Sequence, residues 1–284
     1  MYNYRRKGKY YINNRLEYEG EFLYDRKWNG KGYDENGNII YELINGNGKV
    51  KEYNYYLIFE GEYLNGRRNG KGKEYEQEMR TISFEGEYLN EKKWNGKGFY
   101  INGYIIYELI NGNGIVKTYD ILGGYLLFEG EYLKGEINGK GKEYGGFTGK
   151  LIFEGEYCNG KRNGKGKEYD SFSGKLIFEG EYCNGKRNGK GKEYDFVHGF
   201  LSYEGGYVNG KKNGKGKEYN SDGIITFEGD YFNGHREGNG KEYDKCKLIF
   251  EGEYINGMRN GKGNEYNSDG TIIFEGEYFY GKRI

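Results

Sequence analysis

The sequence predicts an all-β protein, built as a single-layer antiparallel meander of hairpins. Three observations favour this fold. The seventeen-residue segment FEGEYCNGKRNGKGKEY occurs at residues 153–169 and again at 178–194, so the same local environment recurs along the chain. Within each copy, apolar and polar side chains alternate as they do in a strand. Asn-Gly and Asp-Gly pairs, which favour tight hairpin turns, separate these segments.

The repeat extends over essentially the whole chain. Repeat units open with an aromatic residue followed by Glu, and they begin at residues 18, 41, 59, 84, 107, 128, 153, 178, 203, 227, 250 and 274. We therefore predict one array over residues 1–284, with a partial repeat at 1–17, complete repeats at 18–273 and a truncated repeat at 274–284. No linker or second domain is predicted, and each unit should contact only its neighbours.

The second hairpin of a unit is expected to turn at Asp222-Gly223. This turn places Gly216 opposite Gly229 and Lys217 opposite Glu228. Aromatic rings would then lie against bare glycine backbone on one face. Lys and Glu would alternate across the other face, where each cross-strand pair contributes roughly 0.2–1 kcal/mol.

The first hairpin is expected to fold about its midpoint, between residues 235 and 236. Tyr231 would then face Gly240, and Asp230 would face Lys241.

Composition limits the classes of function. The chain has 34 Tyr and 16 Phe but only 35% hydrophobic residues, which suits a thin aromatic layer better than a thick core. Its 44 basic and 44 acidic residues balance, which argues against nucleic acid as a partner. No apolar run approaches the ~20 residues of a membrane-spanning helix. Three cysteines, an odd number, favour reduced thiols and a cytoplasmic location.

The repeat resembles the MORN repeat (membrane occupation and recognition nexus). The pattern Phe-x-Gly-x-Tyr-x-x-Gly-x-x-x-Gly-x-Gly carries the resemblance, as in Phe178, Gly180, Tyr182, Gly185, Gly189 and Gly191. The resemblance implies an elongated, twisted antiparallel sheet of about eleven to twelve hairpin repeats, associated with membranes or the cytoskeleton. Segments such as GKLIFEGEY also resemble a bacterial MORN-like variant found in some predicted antitoxins.

Two units depart from the pattern. YELINGNGKVKEY (41–53) and YELINGNGIVKTY (107–119) each lack about four residues. A shortened hairpin, with a kink in the sheet, is expected at both places.

No catalytic site, metal site or cofactor is predicted. His198 and His235 are the only histidines, and both fall in variable turns. Glu154 and Glu156 share a face, but such pairs recur with Lys opposite, which indicates ion pairing. Cys158 and Cys183 occupy equivalent positions and are interpreted as small side chains on the charged face.

Two surfaces are candidate binding sites for partners. The first is the aromatic face, which could hold a helix or an extended peptide of a protein partner. Its predicted contact residues are Phe153, Tyr157, Phe178, Tyr182, Tyr203, Tyr207, Phe227 and Tyr231.

The second surface is a row of basic hairpin tips, spaced by about 10 Å if the sheet is regular. Cations in such a row could bind phosphoinositides or other anionic phospholipids. They are Arg67, Arg68, Lys92, Lys93, Lys161, Arg162, Lys186, Arg187, Lys211 and Lys212.

The expected function is that of a non-enzymatic scaffold for protein partners, peripheral to membranes or the cytoskeleton. Direct phospholipid binding through the basic tips is the alternative. Residues 274–279 would form an edge strand, and exposed edges invite pairing, so self-association through this strand is also expected.

Overall fold

The computed structural model describes residues 4–284; residues 1–3, which begin the predicted N-terminal partial repeat, lie outside the described residues. Every regular element in the described range is a β-strand, and within each sheet successive strands pair antiparallel. The all-β meander predicted from the repeat is confirmed. The chain divides into two compact units, residues 1–139 and 140–284.

The first unit contains a four-stranded sheet (β1–β4), a six-stranded sheet (β5–β10) and the paired strands β11 and β12. Strand β13 (Glu136–Tyr144) contains the boundary between the units. The strands are β1 (Arg5–Ile12), β2 (Arg15–Leu23), β3 (Arg26–Tyr33), β4 (Ile39–Leu43), β5 (Gly48–Asn54), β6 (Tyr56–Leu64), β7 (Arg67–Tyr75), β8 (Ile82–Leu89), β9 (Lys92–Phe99), β10 (Ile105–Leu109), β11 (Gly114–Tyr119) and β12 (Leu126–Leu133).

The two short repeats interrupt the sheets of the first unit. Strands β4 and β10 have only five residues each, and each is followed by a tight turn closed by an isolated bridge, Ile44 with Asn47 and Ile110 with Asn113. The segments are shortened, as expected, but they do not form hairpins. Sheet pairing stops at both turns, and only the isolated bridge closes each of them. Their apolar side chains enter a core shared with the neighbouring rings, to which Leu43, Val50, Leu109 and Val116 contribute.

The second unit is a regular meander in which each strand pairs with the next one in sequence. Its strands are β14 (Leu151–Cys158), β15 (Lys161–Tyr169), β16 (Leu176–Cys183), β17 (Lys186–Tyr194), β18 (Leu201–Val208), β19 (Lys211–Tyr219), β20 (Ile225–Phe232), β21 (His235–Asp244), β22 (Lys247–Ile255), β23 (Met258–Tyr266), β24 (Ile272–Phe279) and β25 (Lys282–Arg283).

In the second unit, the hairpin within each repeat closes through a two-residue turn, as between β16 and β17; the turn is Asn-Gly in every repeat but the last, where it is Tyr280-Gly281. Asn184 has φ 51° and Gly185 has φ 85°, and positive φ at both positions is the requirement of a type I′ turn. We call the sheet edge formed by these turns the short-turn edge.

The predicted register of the first hairpin is wrong. Tyr231 pairs with Arg236 rather than with Gly240, because the turn lies at residues 233–234 rather than 235–236. Lys241 correspondingly pairs with Glu228, not with Asp230. Between the pairs Gly229–Gly240 and Tyr231–Arg236, β20 advances two residues and β21 advances four. The excess is absorbed near Gly238, whose φ of 77° marks the irregularity.

The predicted register of the second hairpin is confirmed. Gly216 pairs with Gly229, and Lys217 pairs with Glu228. Loops of five or six residues close the second hairpins of the second unit, except for the two-residue turn Lys245-Cys246 between β21 and β22. These connections form the other edge of the sheet, which we call the loop edge. In one of them, residues 170–175, the Gly174 N–H donates to the Asp170 carbonyl over 2.8 Å.

Backbone hydrogen bonds also join neighbouring repeats at the short-turn edge of the second unit. The turn glycine donates to the carbonyl of the second residue after the preceding turn, over 2.8–2.9 Å. The pairs are Gly185 with Arg162, Gly210 with Arg187, Gly234 with Lys212, Gly257 with Arg236 and Gly281 with Arg259. Each turn is therefore held by the preceding repeat as well as by its own strands.

Candidate interaction surfaces

The Phe and Tyr side chains of each FEGEY-type strand lie on one side of the sheet, which we call the core face; the opposite side is the outer face. The Phe178 ring contacts two tyrosine rings nearly edge-on, Tyr182 at 5.7 Å and Tyr207 at 5.2 Å between centroids. The same arrangement recurs along the second unit. Edge-to-face packing of this kind contributes about 0.5–1.5 kcal/mol per pair beyond area burial.

Bare glycine backbone makes room for these rings. A Cβ at Gly191 would lie 2.5 Å from Cζ of Phe178 and 3.2 Å from Cε2 of Tyr207. Glycine at this position is thus required by close approach of a ring, as the sequence predicted.

The predicted aromatic contact residues are buried. Phe153, Phe178, Tyr203 and Phe227 have no exposed surface, and their tyrosine neighbours Tyr157, Tyr182, Tyr207 and Tyr231 are nearly as enclosed. The expectation that these rings form an accessible trough is therefore wrong. The rings pack against each other, and cationic side chains cover them.

The covering cation is the second residue after each short turn. The guanidinium carbon of Arg187 lies 4.0 Å from the centroid of Phe178, within cation–π distance. Equivalent contacts cover the other rings of the second unit: Arg162 on Phe153, Lys212 on Tyr203, Arg236 on Phe227 and Arg259 on Phe250. In the first unit, Arg68 lies on Phe59 and Lys93 on Phe84.

These cations also join the glutamates of the core face into a chain of ion pairs, which we call the ionic ladder. Arg187 reaches Glu168 at 2.5 Å and Glu193 at 3.0 Å, while Arg162 lies 3.7 Å from the same Glu168. Glu168 is thus shared by the arginines of two repeats, and Glu242 and Glu265 are shared in the same way. In the second unit the ladder also includes Glu143, Lys212, Glu218, Arg236, Glu242, Arg259, Glu265 and Arg283. In the first unit Arg68 and Lys93 share Glu74 in the same way, and we use the same name for their ion pairs.

The tyrosine hydroxyls of the core face belong to the same ladder. Tyr182 donates to Glu168 over 2.7 Å. Burial alone would raise the pKa of Glu168, but the hydrogen bonds from Arg187 and Tyr182 outweigh it, and the pKa is lowered. Glu168 therefore stays ionised, and burial together with this carboxylate raises the pKa of Tyr182 far above its ordinary value.

Half of the predicted basic tips are consequently not tip residues. Arg68, Lys93, Arg162, Arg187 and Lys212 lie on the core face in the ionic ladder, contrary to the expectation that all charges occupy the outer face. The position of the short turn explains why these cations lie on the core face. With the turn at residues 184–185, Arg187 pairs with Tyr182 and therefore lies on the same face as that tyrosine.

The other five predicted basic tips lie beside the short turns, on the outer face. Lys161, Lys186 and Lys211 are exposed there, and Lys211 donates to Asn233 over 2.7 Å. Arg67 is half-buried, and Lys92 pairs with Glu136 at 2.8 Å.

The outer face carries a row of apolar side chains that the sequence analysis missed. They follow the core tyrosine of each repeat and lie opposite the outer tip residue, as Phe232 does opposite His235. In the second unit the row consists of Val208, Phe232, Ile255 and Phe279, all half-exposed. We call these four residues the outer row; Cys158 and Cys183 occupy its equivalent positions in the preceding repeats. Leu64, Leu89 and Leu133 take the same position in the first unit.

Farther from the turns, the outer face is a lattice of charges and tyrosines. Lys167 faces Glu179 and Glu154 across the strands, and Tyr169 donates to Glu154 over 2.7 Å. The predicted alternation of Lys and Glu is confirmed here.

The candidate reactive residues are dispersed. His198 contacts Asp195 at 3.1 Å in a loop, and His235 is exposed beside a short turn. Cys158, Cys183 and Cys246 are free and exposed. Among residues 4–284, no group of three or more His, Cys, Asp or Glu side chains could hold a metal ion.

Residues 4–284 contain no helix that is long and apolar enough to cross a membrane.

Comparison with solved structures gives only distant similarity. A crystal structure of TcdB2-TccC3 has 9% identity and a TM-score of 0.22, covering 94% of this chain and 19% of that one. Alternansucrase in complex with isomaltononaose has 14% identity and a TM-score of 0.19, covering 93% and 20% respectively. This chain spans about a fifth of each, and similarity at this level carries no argument about function. No curated protein sequence matches the chain.

The family comparison agrees with the fold. The MORN repeat model matches residues 59–75, 128–146, 153–171, 178–195, 203–224, 227–245 and 250–272. These seven matches each contain an FEGEY-type strand, a short turn and the following glycine-rich strand, which are the parts that build the core face. The chain therefore belongs to the MORN-repeat family.

Proposed function

We propose that the chain is a non-enzymatic interaction scaffold that binds a protein partner through the outer row of its second unit. The proposal rests mainly on one observation: Val208, Phe232, Ile255 and Phe279 stay half-exposed in four consecutive repeats, although each strand has a buried core face available. Apolar side chains aligned on a surface in this way are typical of protein interaction sites.

The spacing of the outer row suits a helix. Consecutive hairpins advance about 10 Å, since neighbouring strands lie about 4.8 Å apart. Seven residues of an α-helix rise about 10.5 Å. A helix with an apolar residue at every seventh position would therefore meet one member of the outer row per repeat, over about 21–28 residues.

Charge favours an acidic helix. Lys211 and Lys282 lie beside the outer row, each paired across a short turn with one of its members. Acidic residues flanking the apolar stripe of the helix would face these cations, which steers association and fixes register.

The polar groups of the core face support a structural role instead of a catalytic one. Its carboxylates are shared between cations and tyrosine hydroxyls within the ionic ladder, as Glu168 is between Arg187 and Tyr182. Phospholipid binding at the basic tips is less favoured, because five of the ten predicted cations lie in the ladder. The cytoplasmic location stays a prediction.

The test compares partners captured by the full chain and by variants in cells that produce it. Replacing Phe232, Ile255 and Phe279 with Ser should abolish crosslinking to a partner that the unmodified chain captures. The control variant combines Glu228→Gln with Lys217→Gln. It changes the outer face at a distance from the short-turn edge and should still bind that partner. Equal capture by both variants would refute docking on the outer row. A synthetic acidic helix with Leu at every seventh position should compete with the natural partner, whereas the same residues in scrambled order should not.

A further inference from the structure

The loop edge of the second unit presents phenylalanine rings directly to solvent. Phe147 is 99% exposed, Phe172 is 80% exposed and Phe196 is 65% exposed. They lie in three consecutive loops, residues 145–150, 170–175 and 195–200. Solvent exposure of large rings at this level is unfavourable, since burying a Phe side chain is worth about 1.5–3 kcal/mol.

These loops are held in one conformation by polar groups, without help from the rings. In each loop the glycine N–H donates to the carbonyl of the first residue over 2.8 Å, as Gly199 does to Asp195. The Asp170 carboxylate accepts the Ser173 N–H over 2.6 Å, and Asp195 accepts the His198 N–H over 2.6 Å. The loop backbone that carries each ring is therefore fixed by its own hydrogen bonds.

Folding does not require apolar residues at these tips. Two later repeats close the same kind of hairpin with wholly polar loops, Asn-Ser-Asp-Gly at residues 220–223 and again at 267–270. Within the second unit, the loops with a phenylalanine at the tip are confined to three consecutive repeats, which indicates a function at that place rather than a general need of the fold.

Direct contacts place the loops side by side. The Lys150 ammonium donates to the Phe172 carbonyl, and the Lys175 ammonium donates to the Val197 carbonyl in the next loop. Successive hairpins lie about 10 Å apart, so the three rings follow one another along the loop edge, and we call these three phenylalanines the comb.

The area of the comb argues against a protein as its occupant. A buried aromatic side chain covers about 150–250 Å², so three rings supply roughly 450–750 Å². A specific protein interface, including one between two copies of this chain, needs about 800 Å² of well-packed surface on each side. Polar loop atoms separate the rings here. A lipid bilayer needs no complementary patch, because side chains enter the boundary between headgroups and acyl chains individually.

The charges of the loop edge indicate which bilayer would be bound. Within the three loops, Lys150 and Lys175 are balanced by Asp170 and Asp195, and His198 contacts Asp195. Because the three loops have no net charge, anionic lipid should add little to the binding free energy of the comb. The attraction between the comb and a bilayer is therefore hydrophobic.

We propose that Phe147, Phe172 and Phe196 insert into the interfacial region of a lipid bilayer and dock the loop edge of the second unit on zwitterionic membranes. This site lies at the opposite edge from the basic tips and the outer row. It goes beyond protein binding, and its test depends on different residues.

The test uses the full chain and vesicles of phosphatidylcholine alone. The unmodified chain should float with the vesicles, and binding should persist at high salt. Replacing all three phenylalanines with Ser, the residue found at the polar tips, should lower vesicle binding at least tenfold. The exposed position of the rings predicts an unchanged circular dichroism spectrum. Lys161→Glu with Lys186→Glu, at the other edge, should bind as the unmodified chain does.

A Trp reporter locates the site directly. In Phe172→Trp, fluorescence should shift to the blue on addition of phosphatidylcholine vesicles and be quenched by brominated acyl chains. Absent binding to these vesicles, or equal binding by the triple Ser variant, would overturn the proposal. Binding only to phosphatidylserine vesicles that is lost at high salt would overturn it in favour of the basic tips. If the unmodified chain sediments as an oligomer and the triple Ser variant sediments as a monomer, the comb would instead be a contact site for a second copy of the chain.

Discussion

The guanidinium of Arg187 lies on the ring of Phe178, with 4.0 Å between its central carbon and the ring centroid, and it bonds Glu168 and Glu193 at the same time. One side chain therefore covers a core ring and joins the carboxylates of two repeats. Because every repeat of the second unit has a cation here, the core face is closed by charge-paired side chains rather than by a second layer.

Arg187→Ala should lower the free energy of unfolding by roughly 2–3 kcal/mol. The substitution uncovers Phe178 and leaves Glu168 and Glu193 with fewer partners in a partly buried site, and breaking such pairs is costly. Urea denaturation measures the loss, and hydrogen exchange should show it concentrated in β15 to β18, since each repeat contacts only its neighbours. Lys186→Ala, next in sequence but exposed, is the control and should change stability by less than about 0.5 kcal/mol. Equal effects of the two would contradict a role for the ladder.

Lys212→Arg should stabilise the chain by about 0.5–1.5 kcal/mol. Lys212 reaches Glu193 at 3.1 Å but replaces the arginine found in neighbouring repeats. A planar guanidinium can bond two carboxylates in fixed geometry, which an ammonium cannot do. A rise in the urea midpoint is expected, whereas Lys211→Arg on the outer face should leave the midpoint unchanged. A lower midpoint for Lys212→Arg would show that the lysine is the better fit.

Gly191→Ala should destabilise the chain by roughly 1–3 kcal/mol, because the new methyl group would overlap the Phe178 ring. Gly185→Ala is the informative comparison. Nothing lies within 4 Å of a Cβ at Gly185, and its cost of about 1 kcal/mol comes from the positive φ alone.

Phe178→Leu should recover part of the loss in Gly191→Ala and none of it in Gly185→Ala, as a double-mutant cycle in urea would measure. Independent effects of Phe178→Leu and Gly191→Ala would contradict steric contact between ring and backbone.

Local patterns in the sequence predicted most of the fold. The alternation around Phe178 and Tyr182 placed both rings on one face, and the turn at residues 222–223 placed Gly216 opposite Gly229. Strand alternation and turn chemistry act over a few residues, so a single sequence contains them. The register of the first hairpin was missed because the extra residues near Gly238 leave no trace in the alternation.

The error in register also hid the candidate surfaces. Once the turn is placed at residues 184–185, Arg187 falls on the face of Tyr182, and the outer tip falls to Lys186. The outer row could have been found in the sequence, since the residue after the core tyrosine is apolar in repeat after repeat. The exposure of Phe172 could not have been found in the sequence, because it depends on how the loop lies beyond the sheet edge.

High pH should unfold the chain through its outer-face tyrosines. Burial, followed by the hydrogen bond to Glu179, raises the pKa of Tyr194 from 10.0 to about 12, and Tyr169, Tyr219 and Tyr243 behave alike. The folded state holds these protons more tightly than the unfolded state. The stabilisation is therefore complete below pH 10 and is lost as pH rises towards about 12.

Urea midpoints measured across this range, together with tyrosinate absorbance, test the expectation. In the folded protein these four tyrosines should titrate late, so the part of the absorbance change that Tyr194→Phe removes should rise together with the loss of circular dichroism. Tyr194→Phe removes one such proton and one hydrogen bond to Glu179, so it should lower stability at neutral pH but make the decline at high pH shallower. If the absorbance that Tyr194 contributes appears near pH 10 while the sheet stays intact, its hydroxyl is not held by Glu179, and the lattice would contribute little to the stability of the fold.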